Sequence, residues 1–391
     1  MSVNLLVFES HPVQYRVPVW QTMEKLKPGS VHVAYASDCS VRGHMDKEFG
    51  HKVAWDIPML SGYAHSVLNC ENGIPLAGWG TLTGEGVGGL IRQIKPSAVL
   101  LTGFNYRFDL MACLAARKHR IPVWLRCETQ DHALKRSRLK AVFRSIVYHI
   151  AYLAIDRIFY IGELNKLHYL KHAVDAMQLK PARYGTEDRF EGMNTPRKTE
   201  LREQGRNQTG IAADSFVIGF SGKLISKKSP EILYAMLEHL APSLRARTTL
   251  YFMGSGELLE ELQQLATMAL KRYNVKSHFT GFVNQSQLAS HYLVMDIMVL
   301  PSRKMGETWG LVANEAMQSG CGVIVSDAVG CSKDFGGWER FRVFPEGDAK
   351  ELAVKAESLS VYTRDFDWAT ENLQAYSIEA TAESLLKELT T

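Results

Sequence analysis

Cysteine is scarce in this sequence. The 391 residues hold six (Cys39, Cys70, Cys113, Cys127, Cys321, Cys331) and no Cys-x-x-Cys pair, which excludes a disulfide framework and fits a reducing cytosol. An excess of charge is also missing: 45 Lys and Arg against 41 Asp and Glu leave +4, too little for a charge-driven nucleic-acid binder. No uninterrupted apolar run is long enough to span a bilayer. The most apolar stretch, Ala141 to Ile161, is broken by Arg144, His149, Asp156 and Arg157. The chain enters Val3-Asn4-Leu5-Leu6-Val7-Phe8 without a basic leader or a small-residue cleavage site, so no signal peptide is expected and a cytoplasmic location is. Internal repeats and low-complexity segments are absent. What is present is an ordinary globular balance, 46% hydrophobic and 22% charged, in a chain long enough for two domains.

Short β-rich runs alternate with helical patterns from end to end, which predicts an α/β architecture of parallel sheets covered by helices. The first half predicts strands at Val3–Phe8, Val31–Ala36, Ala98–Thr102, Val123–Arg126 and Ile158–Ile161, with helices at Val17–Leu26, Phe108–His119 and Leu164–His172. Between Lys180 and Thr209 the periodicity fades among Pro181, Gly185, Gly192, Pro196 and many charges, a linker signal. Strands resume at Phe216–Phe220, Thr249–Met253, His278–Phe282, Ile297–Leu300, Val323–Ser326 and Arg342–Phe344, each a near-continuous apolar run suited to burial on both faces. A helical pattern at Ile378–Leu389 closes the chain. The expected division is an N-terminal domain 1–185, a linker 186–210, a C-terminal domain 211–375, and a final helix 376–391 that can pack back on the first domain. Ligands then belong at the strand C-terminal ends, in the cleft.

Two loops carry chemistry. Phe220-Ser221-Gly222-Lys223-Leu224-Ile225-Ser226-Lys227-Lys228-Ser229-Pro230 places a glycine and lysines between a strand end and a helix start, with Ser229 as the expected N-cap. Backbone N–H groups and the lysines would favour an anion there, although a solvated basic turn fits the same residues. The spacing is not that of a Walker A loop. A second turn, Met253-Gly254-Ser255-Gly256, also suits close approach to a phosphate or simply a tight bend. The run Pro301 to Met317 follows an apolar strand and is stopped by Gly320. In it, Glu315 shares a helix face with Leu311 and Val312, where a carboxylate needs donors or a cation. Glu307 stands just before the helix. The pair could accept hydrogen bonds from sugar hydroxyls; equally, Glu315 could hold a structural partner and Glu307 a cap.

Glu307-x7-Glu315, enclosing Gly310-Leu311-Val312 and Asn314-Glu315-Ala316-Met317, resembles the signature of glycosyltransferase family 4, retaining enzymes with the GT-B fold. The Gly222-Lys223 to Lys228 loop looks like that family's basic phosphate loop. Phe279-Thr280-Gly281-Phe282-Val283, Leu288, Tyr292, Asp296-Ile297 and Leu300-Pro301-Ser302 follow the family's order. The resemblance is strong from Phe216 to about Gly330 and holds only in outline before that. It implies two Rossmann-like doubly wound domains facing across a cleft, with a nucleotide-diphospho-sugar (UDP-sugar favoured, GDP-sugar possible) held by the second. It implies catalytic roles for Glu307, Lys223 and Lys228, and donor contacts from Gly222, Gly254, Phe282, Thr308, Trp309, Gly310, Leu311 and Glu315. Glu315 would bind the ribose hydroxyls, Glu307 those of the donor sugar, and the two lysines the diphosphate. No protein nucleophile and no metal or other cofactor is expected. The acceptor implied is a glycan or glycolipid intermediate of polysaccharide biosynthesis.

The first half departs from the family pattern, with Glu9-Ser10-His11-Pro12-Val13-Gln14-Tyr15-Arg16 after the first strand and Thr102-Gly103-Phe104-Asn105 where many relatives carry a histidine. His11, Tyr15, Asn105, Arg126 and Glu128 are the expected acceptor-side residues. Asp365-Phe366-Asp367 is the only Asp-x-Asp and reads as surface sequence; no His/Cys cluster shows zinc spacing. From His132 to Ile155 there is no acidic residue, while Lys135, Arg136, Arg138, Lys140 and Arg144 flank apolar positions. That pattern fits a helix lying on an anionic membrane, or a basic face packed on the sheet through its apolar side. A nucleotide-sugar epimerase or hydrolase, or a non-catalytic nucleotide-sugar-binding protein, remains as an alternative function.

Overall fold

The computed structural model describes residues 5–42, 44–46, 51–53, 57–68, 76–134 and 136–390. Val3, Asn4, Cys70 and Lys135 lie outside the described residues. The first half of the chain supplies β1 (Leu5–Glu9), β2 (Val31–Tyr35), β3 (His44–Asp46), β4 (His51–Val53), β5 (Ala64–Val67), β6 (Ala98–Leu101), β7 (Val123–Leu125), β8 (Arg157–Tyr160) and β9 (Leu179–Pro181). Seven of these form a parallel sheet in the order β5-β2-β1-β6-β7-β8-β9, and β3 pairs antiparallel with β4. The second half supplies β10 (Phe216–Ser221), β11 (Thr248–Met253), β12 (Lys276–Phe279), β13 (Ile297–Leu300), β14 (Gly322–Ser326) and β15 (Phe341–Phe344). Their order is β12-β11-β10-β13-β14-β15, all parallel. Both sheets are doubly wound, and each reverses direction beside its first strand: between β1 and β6, and between β10 and β13.

Apolar content decided which strands were foreseen. β1, β6, β10, β13 and β14 are buried along their whole length, and their sequences are nearly all apolar. β5 reads Ala-His-Ser-Val and β9 Leu-Lys-Pro. Both are edge strands with little to bury, so sequence pattern alone missed them. The strand expected at His278–Phe282 runs instead from Lys276 to Phe279. The helices Val17–Leu26, Arg107–Lys118 and Glu163–Lys171 stand within one residue of expectation.

Three further features shape the molecule. The stretch read as a linker contains a 15-residue helix, Thr195–Thr209, capped by Asn194 and ended by Gly210 at φ 66°. Its apolar content is too low to announce a helix; ion pairs hold it instead. Arg202 and Arg206 both grip Asp296 at the foot of β13, and Lys198 reaches Asp367 at 2.8 Å. The last helix, Ile378–Glu388, packs Ile378, Ala382 and Leu385 into the same core as Leu5, Val7 and Trp20 of the first half. The helix Arg138–Tyr152 is inverted: Tyr152 is its only buried residue. Arg144, Ser145 and Tyr148 face the protein, while Leu139, Val142, Phe143, Ile146, Val147 and Ile150 face out, with Phe143 71% exposed. The packed arrangement, apolar side on the sheet, is therefore not what forms. Among the described residues no helix is long and apolar enough to cross a membrane.

Candidate active site

The reversal between β10 and β13 leaves a crevice at the strand C-terminal ends, the position where open α/β sheets bind ligands. The loops after β10, β11 and β13 meet there. Gly222 N–H donates to Met253 O at 2.9 Å and Gly254 N–H to Gly281 O at 2.9 Å. Gly254 has φ 144°, and a Cβ on it would stand 1.8 Å from the carbonyl oxygen of Gly222. Only glycine lets these two turns pass backbone against backbone. Gly310 is likewise enforced: φ is 96°, and a Cβ would press Leu300 and Val329 at 2.7 and 2.8 Å. The loop after β13 then enters a short helix, Val312–Gln318, followed by Gly320 at φ 80°. Ser229 does not cap its helix as expected. It adopts φ 52°, donates to Glu231 at 2.9 Å, and the helix begins only at Ile232.

A cavity of about 320 Å³ opens between the two halves. Its wall includes Gly222, Lys228, Gly254, Phe282, Glu307, Thr308, Trp309, Gly310, Leu311 and Glu315 from the second half, and Tyr15, Glu128 and Tyr184 from the first. The expected donor positions thus converge, with one exception. Lys223 sits half-buried in the turn and is not part of that wall. Trp309 borders the cavity, but the residue is 3% exposed and belongs to the core, with Nε1 donating to Asn314 at 2.9 Å.

The two carboxylates differ. Glu307 pairs with Lys228 and accepts from Ser302 Oγ at 3.0 Å. Burial raises its pKa, but Lys228, Lys227 and the Ser302 hydroxyl outweigh that and hold it below the ordinary carboxylate value. Glu315 accepts from the Tyr292 hydroxyl at 2.7 Å, and Ser221 Oγ lies 2.9 Å from the same hydroxyl. Burial pushes Glu315 up, and the tyrosine bond and the charge of Arg189 recover only part of it. Arg189, Gln285 and Tyr184 also line the cavity. Sequence reading missed Arg189 and Tyr184 because they lie in the irregular crossing between domains, where no periodic pattern singles them out.

On the acceptor side the expected residues divide. His11 and Asn105 line a second cavity of about 370 Å³ within the first half, and Tyr15 and Glu128 border both cavities. Arg126 borders neither. It is 4% exposed, donates to Ala182 O at 3.1 Å and lies over the Tyr184 ring, so its charge is spent under the site rather than in it. Glu128 accepts from Tyr15 at 3.0 Å, Arg16 at 2.7 Å, Tyr184 and, across the cleft, Thr308 at 3.2 Å. Burial opposes its ionisation, but Arg16 and the two tyrosines bring its pKa down to about 2. Gln130 donates to Thr308 O at 2.6 Å and Ala133 O accepts from Gly306 N–H at 2.8 Å. The loop after β7 is thereby stitched along the loop after β13. Asp365 and Asp367 lie away from both cavities, against Arg340 and Lys198, and Phe366 between them is buried.

Residues 202–360 match the family described as glycosyl transferases, group 1. This group 1 segment contains the whole stretch from Phe216 to Gly330 that carries the resemblance in sequence. An uncharacterised glycosyltransferase, MJ1607 of Methanocaldococcus jannaschii, is 29% identical over 192 residues, 44% of this chain and 47% of the relative. A D-inositol 3-phosphate glycosyltransferase of Xylanimonas cellulosilytica is 28% identical over 204 residues, 52% of this chain and 45% of the relative. The chain spans just under half the length of these two relatives. The crystal structure of Anabaena Alr3699/HepE in complex with UDP-glucose superposes with a TM-score of 0.66 at 14% identity, covering 99% of each chain. That likeness shows the fold: two doubly wound domains across a cleft, the GT-B architecture.

Proposed function

We propose that the protein is a retaining glycosyltransferase of the family 4 kind. It moves a sugar from a nucleotide-diphospho-sugar, a UDP-sugar before a GDP-sugar, to a hydroxyl of a glycan or glycolipid acceptor in polysaccharide biosynthesis, on the cytoplasmic side of a membrane. One observation carries this reading: Lys228, Glu307 and Glu315 line a single cavity at the switch point of the second sheet, and Tyr15 and Glu128 face them from the first. The group 1 segment supplies that cationic and acidic set, and the HepE complexes with UDP and UDP-glucose support the donor class.

In this reading Glu315, already holding the Tyr292 hydroxyl, accepts from the ribose. Glu307 takes the donor sugar's hydroxyls. Lys228 exchanges Glu307 for the diphosphate and stabilises the charge that grows on it as the glycosidic bond breaks, with no metal needed. The acceptor hydroxyl approaches from the side of Tyr15, His11 and Asn105, and positioning rather than a protein nucleophile completes the catalysis. The test is a panel of UDP- and GDP-sugars screened by thermal shift, followed by mass spectrometry of released nucleotide and transferred sugar. A UDP-sugar should stabilise the protein most, and NMR of the product should show the donor's anomeric configuration. Failure of every nucleotide-sugar to stabilise the protein overturns the reading.

The inverted helix Arg138–Tyr152 supports a membrane-borne acceptor. Leu139, Val142, Phe143, Ile146, Val147 and Ile150 form an outward apolar face, bordered by Arg138 and Lys140. Each cation contributes about 1 kcal/mol near an anionic lipid surface. Co-sedimentation with phosphatidylglycerol vesicles should weaken with salt and disappear in a Leu139→Ser, Phe143→Ser, Ile150→Ser variant. Equal recovery on neutral vesicles, or none on either, would remove the membrane from the proposal.

A further inference from the structure

Behind the inverted helix, two histidines and an aspartate face one another. His168 and His172 lie one turn apart, on and just after the helix Glu163–Lys171, and Asp131 comes from the stitched loop after β7. One ligand atom from each falls within 4.8 Å of the others. His168 Nδ1 is 3.3 Å from Asp131 Oδ1, and His172 Nε2 is 3.2 Å from Oδ2. The His168 side chain is wholly buried, and its Nδ1, though 3.3 Å from the carboxylate, makes no well-formed hydrogen bond among the described residues. A buried nitrogen left in that state calls for a partner.

The geometry points to a divalent transition-metal site, zinc by ligand chemistry, formed by His168 Nδ1, His172 Nε2 and the Asp131 carboxylate with a water in the fourth position. Metal–ligand bonds of about 2.0–2.1 Å give a tetrahedron with edges of roughly 3.3–3.4 Å, and each histidine nitrogen already stands about that far from one of the two carboxylate oxygens, His168 from Oδ1 and His172 from Oδ2. The far ring nitrogens are already oriented. His168 Nε2 lies 2.8 Å from the Tyr152 hydroxyl and His172 Nδ1 lies 3.0 Å from Ser145 Oγ. If each far N–H donates to its hydroxyl oxygen, both near nitrogens present lone pairs to the metal, the outer-shell arrangement typical of histidine ligands. The Tyr148 ring packs over both imidazoles.

Two cations share the carboxylate, and the site must accommodate them. Arg144 pairs with Oδ1, and Lys171 Nζ lies 3.3 Å from Oδ2. Lys171 is 67% exposed and can leave for water when a metal takes its place. Arg144 can stay on the oxygen the metal does not use. None of Asp131, His168 and His172 lines the cavity between the domains, so the site is separate from the proposed donor chemistry. Sequence reading overlooked it because Asp131 and the histidines lie far apart in the chain.

The test uses untagged, chelator-stripped full-length protein titrated with Zn²⁺ alone and, separately, with Co²⁺. We expect one equivalent of Zn²⁺ to bind and raise Tm, and Co²⁺ to give visible bands of a four-coordinate site. His172→Ala and Asp131→Asn should each weaken binding at least tenfold, the scale of losing a ligand or its orientation. Lys171→Met keeps all three ligands, removes the competing cation and should bind more tightly than the parent, a result that does not depend on the fold surviving a ligand mutation. Absence of stoichiometric binding in the parent, or binding unaltered by His172→Ala and Asp131→Asn, overturns the assignment.

Discussion

Lys228 and Glu307 are bonded to each other across the mouth of the second sheet, with side chains only 17% and 11% exposed. The cation expected to meet a diphosphate and the carboxylate expected to meet a sugar thus neutralise one another before either meets a ligand. Removing one leaves the other charged in a largely desolvated wall, which is costly.

Lys228→Ala should therefore lower turnover by ~10²–10³, the scale of losing one transition-state charge stabiliser, and should also reduce Tm because Glu307 loses its partner. Lys223, outside the cavity wall, should matter less, with Lys223→Ala costing under about tenfold on the same scale. Steady-state kinetics on folded variants checks both. Equal losses would show that Lys223 reaches the phosphates after all.

Glu315 and Tyr292 give a second prediction. If the Glu315 carboxylate accepts from ribose hydroxyls, Glu315→Gln should weaken nucleotide binding by about 1.5–3 kcal/mol, the range for hydrogen bonds to charged groups. Tyr292→Phe should weaken it less, because it only loosens the carboxylate. Calorimetry with the deoxyribose nucleotide should show a like loss in the parent and little further loss in Glu315→Gln. Additive losses would assign Glu315 another task.

The group 1 segment was the legible part of this sequence because β10, β13 and β14 are buried and almost wholly apolar and the loops after β10, β11 and β13 are punctuated by glycine, whereas β12, reading Lys-Ser-His-Phe, was misplaced. Gly222 and Gly254 mark the place where backbone must pass backbone, Gly310 one where any side chain would press Leu300 and Val329, and the charged residues between them had few apolar neighbours to hide among. The illegible parts share the opposite property. The helix Thr195–Thr209 is polar almost throughout and is held by Arg202 and Arg206 on Asp296, a contact that no local pattern encodes. Arg126 looked like a site residue because it follows a strand, yet its guanidinium folds under Tyr184. The helix Arg138–Tyr152 was legible as amphipathic, but its sequence could not say which face turns inward. The inward face is chosen by Asp131 and His172, which receive Arg144 and Ser145.

Buried Glu9 predicts the pH response of the first domain. Burial pushes its pKa up to about 7, against the pull of Arg16, 3.8 Å away, and Arg126. The folded state therefore holds a proton that the unfolded chain releases near pH 4.5. Between that value and about 7 this group makes stability fall as pH rises, and above 7 the cost is constant. Glu9→Gln removes the ionisation. The Tm difference between variant and parent should move in the variant's favour from pH 5 to pH 8. A difference flat across that range would mean that Arg16 and Arg126 already hold Glu9 ionised at pH 5.

Metal dependence separates the two sites argued above. Lys228 and the glycine turns line the cavity proposed for the donor, and the only Asp-x-Asp pair is engaged elsewhere, with Asp367 on Lys198 and Asp365 on Arg340. Transfer should accordingly proceed in chelator-treated enzyme at a rate within about twofold of the untreated enzyme, since no charge stabiliser of the donor is lost. The chelator should act instead on Tm, through Asp131, His168 and His172, and that shift should vanish in His172→Ala. The assay belongs well below Tm, so that lost stability is not read as lost catalysis. A strict magnesium or manganese requirement for transfer, restored by the metal at saturating donor, would contradict the lysine-based account of the diphosphate. It would direct attention to carboxylates on the cavity wall, Glu307 and Glu315 with Glu128 opposite them, as the groups to hold that ion.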